Sequence, residues 1–309
     1  MDAAKNNSVL VTGGRGFVGR AVGKLLRQEG YEVVALDLSA PSAGAQDGGA
    51  LDGERHVACD ISNAKQLRRV FEMNRITGIV HLAAMLPTVS QREPARATEV
   101  NVIGSLNLLE MAKEFGVRRF VYGSSVSVYG TGSAEQVIAE SDPAAPEDVY
   151  GAAKLYVEQI GAAYRKRHGL EFVSLRFGRV LGPEAQSTTS AWRSEIFEFL
   201  GAEKAMTIGI PYLESELLLV VYLDDVAGAL VKLLQAPRLQ HEIYNAICES
   251  IVVADLKRQV EELNPKITVQ LGAQSMKGNP RRLNGSRFEL EFGLSSISIL
   301  ERLKAARRL

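Results

Sequence analysis

The sequence predicts a doubly wound α/β fold, a parallel sheet with helices on both faces, joined to a smaller mixed α/β cap towards the C-terminus. Three observations predict it. Short apolar runs alternate with helix-length segments from the first residues onward, the rhythm that right-handed crossovers between parallel strands impose. A glycine-rich turn, TGGRGFVG, separates the first apolar run from the first helical pattern. After about Gly178 the alternation breaks, which marks the start of a different unit.

Taken in order, Ser8 to Thr12 reads as a buried strand, and Val18, Val22, Leu25 and Leu26 recur at helical spacing until Gly30. Glu32–Asp37 and His56–Asp60 are the second and third strands, followed by a helix over Asn63–Met73. Gly78–Leu82, Arg119–Gly123 and Glu171–Phe177 continue the series, separated by helices. The stretch Ser39–Arg55, rich in Ala, Gly and Asp, reads as a surface loop. Beyond Gly178, a helix near Ser190–Leu200, a strand near Ala205–Ile210 and a helix near Ala254–Leu263 form the cap. Leu217–Tyr222 and the helix opened by Asp224 resemble the first half, so the chain is expected to return to the main sheet there. The nucleotide-binding domain is therefore 1–178 with a return at about 217–247, and the substrate cap is 179–216 and 248–309.

Composition excludes several classes. Lys+Arg and Asp+Glu balance at 36 each, so no field points to nucleic acid or an anionic membrane. Cys59 and Cys248 fit no metal or redox spacing, and no metal site is expected. No stretch approaches the ~18 apolar residues of a membrane span, and the N-terminus has no apolar signal region. A reducing, cytoplasmic setting is expected.

The turn TGGRGFVG supplies what a dinucleotide needs from a Rossmann domain. Gly13 makes the sharp turn, Gly16 lets a pyrophosphate approach the backbone, and Gly19 lets helix and sheet pack closely. The helix N-terminus offers free N–H groups to the phosphates. Asp37 ends the second strand, where a carboxylate accepts hydrogen bonds from the adenosine ribose and repels a 2′-phosphate. NAD is expected over NADP, with Arg15 in the turn arguing the other way. Asp60, ending the third strand, either bonds the adenine amino group or caps the following helix.

Catalytic chemistry gathers in three residues. Tyr150 and Lys154 are four apart on one helix face, so the ammonium can sit beneath the phenol. A phenol titrates near ~10 and is a poor base at neutral pH. Lys154 and an oxidised nicotinamide would draw it towards the phenolate. Ser125, in the run VYGSSVSVYG, adds a hydroxyl at a strand end, and Ser124 a second one beside it that serves either the substrate or the backbone.

Together these residues resemble the extended short-chain dehydrogenases/reductases, the group that includes nucleotide-sugar epimerases and dehydratases. The likeness runs through TGGRGFVG, Asp37, CDIS at 59–62, VHLAA at 80–84, NVIGSLNLLEMA at 101–112, FVYGSSVSVYG at 120–130, VYGAAKLYVE at 149–158, LRFGRVLGP at 175–183 and VYLDDVA at 221–227. The resemblance implies that Ser125 bonds the reacting oxygen, Tyr150 carries the proton, and Lys154 holds the cofactor ribose while tuning Tyr150. It further implies cofactor contacts at Asp60, Ile61, Leu82, Ala83, Ala84 and Phe177, and an organising role for Asn101.

Departures from the family pattern narrow the reaction. Dehydratases of the group use a carboxylic pair just after the catalytic hydroxyl; Val126 and Ser127 stand there, which argues against dehydration. Arg179 replaces an Asn usual in nucleotide-sugar enzymes, and Leu218 stands near the place of an Arg that grips a diphosphate. Arg179 is accordingly a candidate substrate residue; it, Lys277, Arg281 and Arg282 either compensate for the missing cation or are solvated surface charges. The leading expectation is an NAD-dependent dehydrogenase or reductase acting on a secondary alcohol or ketone of a sugar-like or polyol-like molecule. A nucleotide-sugar 4-epimerase shares every catalytic residue, and a non-catalytic NAD-binding regulator is the third alternative.

The helices around Ala97–Phe115 and Tyr150–His168 carry apolar residues on more than one face, among them Val100, Ile103, Leu106, Leu109 and Met111, and Leu155, Tyr156, Val157, Ile160 and Tyr164. In the resembling family such helices meet across a two-fold axis, so a homodimer through them is expected.

Overall fold

A computed structural model of the chain describes residues 8–39, 54–133, 135–185 and 190–308. Most of the Ser39–Arg55 loop lies outside them. The first half runs β1 (Ser8–Thr12), α1 (Phe17–Gln28), β2 (Glu32–Asp37), β3 (Glu54–Ala58), α2 (Ala64–Met73) and β4 (Ile76–His81). It continues through α3 (Pro87–Arg92), α4 (Pro94–Thr98), α5 (Ser105–Glu114), β5 (Arg119–Ser125), β6 (Val137–Ile138), α6 (Val149–His168) and β7 (Glu171–Phe177). The second half adds β8 (Arg179–Leu181), α7 (Trp192–Glu198), β9 (Met206–Tyr212), β10 (Leu217–Tyr222), α8 (Leu223–Gln235) and β11 (Ile243–Asn245). It closes with β12 (Glu249–Val252), α9 (Val253–Leu263), β13 (Ile267–Gln274), β14 (Arg282–Leu283), α10 (Ser286–Phe292) and α11 (Ile299–Arg307).

Seven of these strands form one parallel sheet in the order β3-β2-β1-β4-β5-β7-β11. The order reverses between β1 and β4, so a crevice opens at their C-terminal ends, the place where doubly wound sheets bind ligands. Two apolar cores explain why the strands read as continuous hydrophobic runs. Val9, Val11, Val80, Val121 and Leu175 meet α1 and α8 on one face, and Leu10, Leu36, Ile79, Phe120 and Phe172 meet α2, α5 and α6 on the other. A third core, around Trp192, Ile196, Ile208, Leu218, Leu256 and Leu303, belongs to the cap.

The expected strands appear, with β3 and β4 each beginning two residues earlier than their apolar runs suggest. One expectation is corrected. Leu217–Tyr222 does not rejoin the main sheet; it lies parallel to β8 and antiparallel to β12 in a separate three-stranded sheet. The return is made by α8, which packs beside α1, and by the short edge strand β11. An apolar run buried on both faces looks the same in either sheet, so periodicity alone does not assign it.

The long helix expected over Ala97–Phe115 is also broken. A π-helical turn at Glu99–Gly104 separates α4 from α5. Of the ten apolar residues singled out on the two helices, only Ile103 and Tyr156 are exposed; α5 and α6 pack on each other and on the sheet, and take up the others at least in part.

Both cysteines are free thiols, and burial pushes them up to about 11 for Cys59 and about 12 for Cys248. No metal-binding group of His, Cys, Asp or Glu occurs among the described residues. No described helix is long and apolar enough to cross a membrane.

Candidate active site

The site begins at the turn after β1. Gly13 adopts φ +67°, and a Cβ there would lie 2.9 Å from the Ala83 nitrogen, so the first turn and the segment after β4 pack backbone to backbone. A Cβ on Gly19 would stand 2.1 Å from the Gly13 carbonyl oxygen, which only glycine permits. Gly16 then opens α1 with no side chain capping the helix and no acid in its first turn. The orphan N–H groups and partial positive charge are thus left for an anion, and a dinucleotide pyrophosphate fits this cradle.

Asp37, half-buried at the end of β2, accepts from the Arg15 N–H at 3.1 Å and from the Leu38 N–H at 2.8 Å. Its carboxylate is therefore fixed beside the turn. The Arg15 guanidinium reaches the Ser39 carbonyl at 3.1 Å. Asp60 does not cap α2; Asn63 does, accepting from Gln66. Asp60 instead accepts from the Ser62 N–H and hydroxyl and from Arg96 at 2.5 Å. Burial works to raise its carboxyl, but these bonds to Ser62 and Arg96 together hold it below the usual range. The Ile61 side chain is buried against Gly104, and its carbonyl accepts from Asn107.

Leu82, Ala83 and Ala84 follow β4 and are held by a relay that sequence reasoning missed. The Leu82 and Ala83 N–H groups both donate to the Thr12 hydroxyl oxygen at 3.2 Å. His81 stands between Thr12 Oγ1 at 2.6 Å and Ser105 Oγ at 2.8 Å. Ser105 spends its own proton on the Asn101 carbonyl at 2.7 Å. His81 must therefore donate from Nε2 and accept from Thr12 at Nδ1, a neutral tautomer. Complete burial, then the charge of Lys154, hold its pKa down at about 3. Asn101, inside the π-helical turn, completes the clamp by accepting from the Met85 N–H at 2.7 Å and donating to the Met85 carbonyl at 3.0 Å. A lone buried histidine after an apolar strand was the only available signal for this relay.

Ser125 ends β5, and its neighbour across the ladder is Phe177 of β7. Its hydroxyl donates to Ser127 Oγ at 3.0 Å and accepts from the Ser127 N–H at 3.1 Å. Tyr150 sits in the first turn of α6, a helix capped by Asp148 through the Gly151 N–H at 2.6 Å. Burial pushes the phenol well up, and Asp148 adds to this, while a hydrogen bond with Ser125 works the other way. The structure thus brings Ser125 and Tyr150 together. Lys154 donates to the Gly123 carbonyl at 2.6 Å, with its ammonium 4.6 Å from the Tyr122 ring centre and 5.5 Å from that of Tyr150. Burial lowers it to about 7, with Glu158 opposing. The expected pull of Lys154 on the phenol is outweighed here by burial, which disfavours both charged forms.

Ser124 is not in the site. Adjacent strand residues face opposite ways, and Ser124 is wholly buried, donating to Glu158 Oε1 at 2.6 Å. Arg179 lies in the cap sheet, its guanidinium carbon 5.1 Å from the Tyr212 ring centre. Leu218 is buried in the cap core, and Arg281 is directed to Glu216 at 3.6 Å.

A doubly wound sheet with an uncapped glycine turn at its switch point, an acid closing β2, and a Ser–Tyr–Lys set beside it defines a dinucleotide-dependent oxidoreductase. The chain belongs to the NAD dependent epimerase/dehydratase family, whose profile matches residues 9–246, and its cofactor is NAD. It is similar to mitochondrial L-threonine 3-dehydrogenase of Sus scrofa, 28% identical over 280 residues covering 89% of this chain and 73% of the relative. UDP-glucose 4-epimerase of Lacticaseibacillus casei is 35% identical over 178 residues, 57% of this chain and 52% of its own length. In structure it resembles the UDP-glucose 4-epimerase of Thermus thermophilus in complex with NAD, with a TM-score of 0.82 and 26% identity over 97% of this chain and 98% of that one. Like these relatives it is an enzyme of the extended short-chain dehydrogenase/reductase type.

Proposed function

We propose that the enzyme is a net dehydrogenase, oxidising a secondary alcohol to a ketone with release of a proton. The carrying observation is the reach of the likeness: similarity to L-threonine 3-dehydrogenase spans 89% of the chain, cap included. The sequence match to UDP-glucose 4-epimerase covers 57%, although the likeness in structure to that enzyme covers 97%. Leu218, where a diphosphate-gripping arginine would be needed, is buried in the cap core, which supports the same reading.

Bound NAD supplies the hydride acceptor. Gly13, Gly16 and Gly19 take its pyrophosphate, Asp37 its adenosine ribose, and the segment Leu82–Ala84 with Phe177 lines its path. Ser125 hydrogen-bonds the substrate oxygen, and Tyr150 removes the hydroxyl proton. Lys154 holds the cofactor ribose, its charge favouring the phenolate once substrate and cofactor are in place. The cap, 179–222 and 248–309, closes over the substrate, which is sugar-like or polyol-like.

The second reading is a nucleotide-sugar 4-epimerase, favoured by the 35% identity over 178 residues. Absorbance separates the two. A dehydrogenase accumulates NADH when offered short hydroxylated substrates, whereas an epimerase interconverts UDP-sugars with no net absorbance change. NADH formation on none of a panel of secondary alcohols, alongside turnover of UDP-glucose, would overturn the dehydrogenase reading.

The reading extends to assembly and setting. A homodimer forms through the face where Ile103 and Tyr156 stay exposed, near 97–115 and 150–168. Light scattering at micromolar concentration tests it, a monomeric mass counting against it. Two free thiols suit a reducing, cytoplasmic compartment.

A further inference from the structure

Two arginines of the cap flank Tyr212: Arg179 lies over its ring, and Arg193 follows Trp192, which meets that ring edge-on. Arg179 opens β8, and beyond the Tyr212 ring its guanidinium reaches, among the described residues, only the Met276 sulfur, at 3.5 Å. Its Nε is buried with no hydrogen-bond partner. Arg193 in α7 donates from Nε to the Ser190 carbonyl at 3.3 Å. Burial, and then the charge of Arg179, both disfavour its charged form. Among the described residues no carboxylate pairs with either arginine, whereas Arg281 has Glu216 and Arg302 has Asp225. Like charges held together and partly desolvated cost free energy unless an anion arrives to neutralise them.

The pair is tied to the reacting centre. Ser125 faces Phe177 across the ladder, and Arg179 lies two residues further, roughly 7 Å along an extended chain. The segment from Met276 to Asn279 spans the same gap. Met276 touches Arg179, and Asn279 accepts from Ser127 at 2.8 Å, while Ser127 is bonded to Ser125.

We propose that Arg179 and Arg193 form an oxyanion subsite that takes a carboxylate or phosphoryl group carried by the substrate, a few bonds from the carbon that is oxidised. This rests on the dehydrogenase reading for the identity of the oxidised carbon, but not for the binding itself. The subsite selects hydroxy acids or hydroxyalkyl phosphates over neutral alcohols of the same size, because an amide offers a hydrogen-bond acceptor but no charge to neutralise the guanidinium pair.

Trp192, the chain's single tryptophan, provides a readout that needs no turnover. It precedes Arg193 and meets Tyr212 edge-on, ring centres 6.3 Å apart. The experiment is a fluorescence titration of the full-length protein at constant ionic strength, with NAD saturating so that the glycine turn is filled. The probes are 3-hydroxybutyrate, glycerol 3-phosphate and neutral 3-hydroxybutyramide. One of the two anions is expected to give a saturable change, and which one binds more tightly assigns carboxylate or phosphoryl. The amide should give none over the same range. Arg179→Gln and Arg193→Gln should each weaken the anion by at least ~10-fold, the loss of one charge-assisted contact. Arg193→Lys, which keeps the charge, should retain more affinity than Arg193→Gln and guards against a folding defect in the latter. No response to either anion, equal binding of acid and amide, or unchanged affinity in both Gln variants would overturn the subsite. Absence of NADH formation on every alcohol would overturn the dehydrogenase reading and leave this titration intact.

Discussion

Ser124 and Ser125 are neighbours on β5 and serve opposite sides of it. Ser124 donates at 2.6 Å to Glu158, which Arg176 grips through two bonds at 2.9 and 2.5 Å. Ser125 turns to Ser127 and Tyr150. Ser124→Ala is therefore expected to lower stability by about 2 kcal/mol, the usual worth of a hydrogen bond to a charged group, with little effect on kcat. Ser125→Ala should lower kcat strongly and, because it loses both bonds to Ser127, should lower stability as well. Urea unfolding together with initial rates would separate them, and a kcat loss in Ser124→Ala matching that in Ser125→Ala would refute the division.

Tyr150→Phe keeps the buried ring and removes the proton carrier. Turnover should fall by at least the ~10²-fold associated with a general base. NAD affinity should hold, since the glycine turn and Asp37 are untouched. A variant retaining most of its rate would mean that another group moves the proton.

Asp37 is fixed by the Arg15 and Leu38 N–H groups next to the cofactor turn. Asp37→Ser removes a ribose acceptor and a charge that repels a 2′-phosphate, so NAD should bind more weakly and NADP better relative to it. Titrating both cofactors against the wild type decides the matter. If wild type already prefers NADP, Arg15 governs the choice.

His81 makes stability depend on pH. Its pKa lies at about 3 in the folded chain against an ordinary 6.5. The unfolded chain therefore takes up a proton that the folded chain refuses, and stability falls as pH drops from 6.5 towards 3. The slope is on the order of 1.4 kcal/mol per pH unit for one such group. His81→Gln should show a shallower decline in urea midpoint between pH 6.5 and 4. Parallel declines in variant and wild type would remove His81 as the cause.

Much of the cofactor half was legible because its determinants are local. TGGRGFVG must fold as a strand-ending turn, since Gly13 takes a positive φ and Gly19 touches the Gly13 carbonyl oxygen. Tyr150 and Lys154 share a helix face whatever surrounds them, and Ser125 lies at a strand end with either boundary. The relay through Thr12, His81, Ser105 and Asn101 was not legible, since its members come from β1, β4, α5 and a π-helical turn that no spacing announces.

By itself the sequence determined the order of strands and helices, the glycine turn and the shared helix face of Tyr150 and Lys154, because hydrophobic period, glycine φ and helical spacing act within a few residues of chain. Only the tertiary structure decided that Leu217–Tyr222 pairs with β8 and β12, that Ser124 faces Glu158, that burial disfavours the charged forms of Tyr150 and Lys154, and that Arg179 lies over Tyr212. Each of these depends on which distant segments are brought into contact, and on how much water that contact removes from a charge.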